Sequence, residues 1–263
     1  PFGAALCALG FWPFVRSHMP YRQIWFIALL GYGTHGLLDA CTTYGTLLLW
    51  PVSDARIAWS TISGIDPLFT LPLLFLVVVA AVRKSAFAAR FGAAWVVFYL
   101  SLGGIQEERA AAAAKTLAEP RGHVGALISA QPSFGNLLLW KTIYEHEGEF
   151  WVDAVRAGSN LTVIEGEKVV RLNLEQQFPW LDNASQQAKD VERFRWFSSD
   201  YLAVDKQDPL LIVDMRYSHL PNEVKGLWGI RLDPKAAPDQ HVEWATRRSA
   251  DASRLEQPWA MHT

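Results

Sequence analysis

The stretch Gly31-Tyr-Gly-Thr-His-Gly-Leu-Leu-Asp-Ala-Cys-Thr-Thr-Tyr-Gly-Thr-Leu-Leu-Leu-Trp-Pro51 decides how the chain is read. It closes an apolar segment that starts near Ile24, which places His35 and Asp39 at the end of an expected membrane helix. Their spacing of four puts both side chains on one helical face, one turn apart. An imidazole and a carboxylate so placed can share one metal ion, and Thr42 can add a hydroxyl just past the helix end. The plainer alternative is a structural hydrogen bond. Ionisable groups cost roughly 2.5–3.5 kcal/mol at the centre of an inserted helix and are seldom idle there, which favours function. Gly45 and Pro51 read as turn and break signals around Leu47–Trp50.

Outward from this stretch, the apolar character continues in both directions. Residues 1–15 are apolar, and Arg16-Ser-His-Met-Pro-Tyr-Arg22 is a short basic loop before a helix over 23–40. Residues 52–63 mix Ser, Asp, Arg and Trp, as an interfacial connection would. A third helix fits Asp66–Val82, with Pro67 in its first turn, where the missing N–H costs nothing, and Pro72 at a kink. A fourth starts at Ala86, is expected to bend at Gly103-Gly104, and continues through the alanine run to Leu117. The pattern predicts four membrane spans, near 1–15, 23–40, 65–82 and 86–105. Only nine of the 50 charged residues fall in residues 1–105, the partition expected of a membrane half before a water-soluble half.

From Pro120 the pattern changes. Short β-branched or alternating runs appear at Phe150–Val155, Leu161–Ile164, Lys168–Leu172, Leu210–Met215 and Leu227–Leu232, with Ala188–Phe197 as one short helix. The expected fold class is α+β: a four-helix transmembrane region over 1–119, a mainly β soluble domain over 120–247, and a flexible tail over 248–263. Alternating four spans puts Arg16, Arg22, Arg83, Lys84 and Arg90 on one face and Asp39, Asp54 and Asp66 on the other. The positive-inside rule makes the first face cytoplasmic, so the C-terminal domain is expected in the periplasm. On that outer face His35, Asp39, Asp66 and the Gln106-Glu-Glu108 helix exit would converge on one pocket.

Several classes are excluded or weakened. Cys7 and Cys41 provide neither a disulfide framework nor a cysteine zinc site. A net charge of −2 without a basic aromatic stripe argues against nucleic acid. No glycine-rich phosphate loop or nucleophile elbow occurs. His146 and His219 read as surface or turn residues.

The stretch Thr34-His-Gly-Leu-Leu-Asp39, followed by Thr42, Gly45 and Leu48-Leu-Trp-Pro51, resembles the signature of the membrane-bound metal-dependent hydrolases, the YdjM-type inner-membrane family. Ile65-Asp-Pro-Leu-Phe-Thr-Leu-Pro72 and Asp214-Met-Arg-Tyr217 are similar to segments of its longer members. The family's upstream His-Arg-Gly-x-Thr-His-Ser motif and acidic Pro-Asp-x-Asp segment do not occur, and the chain opens inside an apolar run. It is therefore read as a fragment lacking the family's N-terminus. The resemblance implies a bacterial inner-membrane hydrolase. His35 and Asp39 would bind a divalent metal ion such as zinc, and Asp39 and Asp66 would be its catalytic carboxylates. A site at headgroup level suggests membrane lipid as neighbour and a lipid-linked or amphipathic ester or phosphoester as substrate. The competing expectation is a non-catalytic membrane anchor presenting a periplasmic β domain.

Overall fold

The computed structural model describes residues 2–247; the tail expected over 248–263 lies outside the described residues. Four helices come first. Helices α1 (Phe2–Val15) and α2 (Tyr21–Ala40) pack as one hairpin, α3 (Pro67–Val82) and α4 (Ala86–Ala118) as another. The second hairpin has well-marked starts. Asp66 caps α3 by accepting the Phe69 N–H (3.1 Å), ahead of Pro67 in the first turn. Ser85 caps α4 through the Ala88 N–H (3.2 Å).

The expected four-helix transmembrane region is not what the chain forms. Among the described residues one helix, α4, is long and apolar enough to cross a membrane. Helices α1 and α3 are apolar but have 14 and 16 residues. At 1.5 Å per residue they rise about 21 and 24 Å, short of roughly 30 Å of hydrocarbon. Helix α2 has 20 residues, but Gly31, Gly33, Thr34, His35, Gly36 and Asp39 dilute its apolar character. The sidedness drawn from four alternating spans goes with them.

Helix α4 is continuous over 33 residues, and Gly103 does not mark a bend between two helices. A Cβ at Gly103 would lie 2.0 Å from the Thr61 carbonyl oxygen, so the glycine lets the loop before α3 lie directly on α4.

Two antiparallel sheets follow. The first runs β1 (Ser129–Pro132), β2 (Leu139–His146), β3 (Glu149–Ala157), β4 (Leu161–Val170) in chain order. Strand β4 is a single strand where the sequence suggests two runs. After the short helix α5 (Leu174–Gln177) and α6 (Gln186–Phe197), the second sheet runs β5 (Leu202–Val204), β6 (Leu211–Asp214), β7 (Trp228–Arg231), β8 (Glu243–Thr246). Ser185 caps α6 through the Ala188 N–H.

The first sheet is the middle layer. On one face Trp140, Val155 and Ala157 pack on Ala110, Ala113 and Ala114 of α4, so the alanine run is a packing face as well as a good helix former. On the other face Ile143 and Val152 meet Ala203, Met215 and Val224. A third cluster joins Val191 and Phe194 of α6 to Leu202, Ile212 and Trp228 of the second sheet. Each fully buried large side chain here stabilises the fold by about 1.5–3 kcal/mol. Gln106 fastens α4 to the sheet, its amide donating to the Leu137 (3.1 Å) and Ala157 (2.6 Å) carbonyls.

Candidate metal centre

Helix α2 ends where Thr42 Oγ1 donates to the Asp39 carbonyl (2.8 Å). The following loop then doubles back over that end. Trp59 N–H donates to the Ala40 carbonyl (2.7 Å), and Thr61 N–H to that of Cys41 (2.9 Å). Thr46 and Ile57 exchange two backbone hydrogen bonds. Gly45 makes this return possible: its φ is +67°, and a Cβ there would lie 2.7 Å from the Ile57 carbonyl oxygen.

On the last turns of α2, His35 Nε2 stands 3.5 Å from Asp39 Oδ2, with the side chains 76% and 46% exposed. That distance exceeds the usual N–H···O range of roughly 2.7–3.2 Å, so a tight structural hydrogen bond does not explain the pair. Two ligands at zinc distances around a tetrahedral ion stand about 3.4 Å apart. The donor chemistry and the spacing are therefore those that two ligands of one divalent ion would need.

Asp66 is differently placed. It is 4% exposed, and both oxygens are engaged: Oδ1 accepts the Phe69 N–H, and Oδ2 accepts the Tyr99 hydroxyl at 2.9 Å. Trp95 Nε1 donates to the Phe69 carbonyl beside it (3.1 Å). Gln106 is committed to the sheet, Glu107 is half-buried and Glu108 exposed. Among the described residues no group of three or more His, Cys, Asp or Glu side chains could hold a metal ion. His35 and Asp39 come together as the spacing predicts, while the wider convergence with Asp66, Glu107 and Glu108 is absent from the described residues. Of the other histidines, His146 stacks on His123 with centroids 3.9 Å apart, and His219 Nε2 lies 3.0 Å from the Arg247 carbonyl oxygen.

The sequence alone does not reveal what leans on this site. Asp214, the last residue of β6, and Arg216 form a buried ion pair (2.7 Å). Arg216 Nη1 reaches the Thr43 carbonyl (3.4 Å), and Tyr217 stacks on Tyr44 at 4.7 Å. The string Asp214-Met-Arg-Tyr217 thus closes on the loop directly after α2. The string itself was the available signal; its partner, 173 residues away, was not.

Residues 1–110 match the family model described as YdjM inner membrane protein. The match covers α1 to α3, the loop over α2 and most of α4, ends before the sheets, and supports an inner-membrane location. No curated protein and no solved structure matches the chain.

Proposed function

We propose that this protein is a membrane-bound metal-dependent hydrolase in which His35 and Asp39 hold a divalent ion against an ester or phosphoester of a lipid-linked or amphipathic substrate. The observation that carries this reading is the 3.5 Å separation of His35 Nε2 and Asp39 Oδ2 on an exposed helix face. The family match over residues 1–110 supports the membrane setting. A zinc-type ion bound there would lower the pKa of its water and polarise the substrate oxygen.

The chain's own residues do the rest. His35 and Asp39 supply neighbouring donors on one rigid turn, and Asp39 keeps a second oxygen to take a proton from an attacking water. Asp66 holds the start of α3 against Tyr99 and so fixes the loop that covers α2. Catalytic zinc usually takes three protein ligands. Arg83, Lys84 and Arg90 gather at the N-terminal end of α4, and a cytoplasmic placement of that end would put the sheets in the periplasm.

A second reading, a non-catalytic anchor presenting the sheets, draws on the core that runs unbroken from α4 into the first sheet. Metal analysis of the full-length protein in detergent separates the two. Stoichiometric metal lost on Asp39→Asn supports the hydrolase, and its absence leaves the anchor.

A further inference from the structure

Lys141 interrupts the apolar layer between the two sheets, next to its register partner Gln131 on β1. It sits on β2 beside Ile143, is 3% exposed, and has no ion pair among the described residues. Its Nζ lies 2.7 Å from Ser218 Oγ and 2.7 Å from the Glu223 carbonyl oxygen. Both partners are neutral. A buried ammonium is costly unless matched by charge, whereas a neutral amine is well served by a carbonyl acceptor and a hydroxyl. Ser218 follows β6 and is half-buried, whereas Lys141 behind it is buried. The Ser218 hydroxyl donates to the Leu220 carbonyl at 2.5 Å, while Lys141 Nζ donates to its oxygen; turning the hydroxyl toward a neutral Nζ reverses that second bond.

We propose that Ser218 and Lys141 form a nucleophile–base pair that cleaves carboxylic esters by acyl transfer, at a site separate from His35 and Asp39. Neutral Lys141 Nζ takes the Ser218 hydroxyl proton while Oγ bonds to the ester carbonyl carbon. The tetrahedral intermediate collapses, the carbon–alkoxy bond breaks, and the alcohol leaves with the proton from Lys141. Water then loses a proton to Lys141, adds to the acyl carbon and breaks its bond to Ser218. The acid departs and Oγ regains its proton. The environment supplies the required base: burial pushes the Lys141 ammonium down to about 7, against the opposing pull of Asp214, Glu223 and Glu167.

The test is labelling of the full-length protein in detergent with a fluorophosphonate, whose phosphorus bonds to a reactive serine oxygen as fluoride leaves. An adduct is expected on the Ser218 peptide by mass spectrometry, lost in Ser218→Ala and unaffected by EDTA. Lys141→Met should slow it about 100-fold. In the wild type the labelling rate should rise with pH and level off above a midpoint near 7. Circular dichroism and a cooperative unfolding transition identify the variants that fold. No Ser218 adduct at mildly alkaline pH, full labelling of Ser218→Ala, or wild-type labelling of folded Lys141→Met overturns the proposal. If Lys141→Met does not fold, the wild-type profile decides: a plateau supports the pair, and a rate proportional to hydroxide throughout contradicts it.

Discussion

At the scale of single residues, two buried charged groups set the energetics of the β region in opposite ways. Asp153 is matched: Arg121 binds it bidentately at 2.7 and 3.1 Å, and the Gly166 N–H donates to it at 3.0 Å. Removing the carboxylate leaves the guanidinium without its counter-charge, so Asp153→Ala should destabilise the β region by about 3–5 kcal/mol in denaturant unfolding followed by tryptophan fluorescence. Lys141 has no ion pair among the described residues, and its consequence is a pH dependence. Its ammonium titrates near 7 in the fold against 10.5 ordinarily, so between those values the unfolded chain binds the extra proton. Stability should therefore rise as pH is raised from about 7 toward 10.5. Urea midpoints across that range should show the rise, and Lys141→Met should flatten it.

At the scale of elements, the junction of α4 with its neighbours governs whether the helices and the sheets behave as one body. Gly103 admits the Thr61 carbonyl, so Gly103→Ala forces that loop away at a cost of about 1–3 kcal/mol. The full-length variant in detergent should unfold at lower denaturant, and an unchanged midpoint would mean the contact carries no load. The same junction shows what a sequence can and cannot convey. The helices were legible because apolar runs and Pro67 mark them, but an apolar run does not state its rise, and α1 and α3 prove too short to span. Strands β6 and β7 were legible as β-branched runs between turn residues. Strand β2 was not: it is buried on both faces, so Leu139-Trp-Lys-Thr-Ile-Tyr shows no alternation, and Lys141 looks like a solvent residue. In the site, His35 and Asp39 were legible because four residues make one helical turn. Lys141 and Ser218, 77 residues apart, meet only through the packing of two sheets.

At the scale of the whole molecule, one helix long and apolar enough to cross a membrane joins an exposed His35–Asp39 pair and a layered β region. The proposed orientation, with the sheets outside the cytoplasm, draws on Arg83, Lys84 and Arg90 at the N-terminal end of α4. With Cys7→Ser as background, a cysteine at exposed Asn183 should react with a membrane-impermeant maleimide in spheroplasts; protection until lysis would reverse the orientation. Orientation would say where the molecule works, and a bound metal what it does. The most direct test is the metal content per chain of the full-length protein purified in detergent, with and without Asp39→Asn. Asparagine is close to aspartate in shape but lacks its charge, so the fold should persist while the ligand is lost; His35→Ala should act likewise, and His219→Ala should not. The account predicts a stoichiometric divalent ion that falls sharply in Asp39→Asn. A protein without stoichiometric metal, or one whose metal content survives that substitution unchanged, would contradict it.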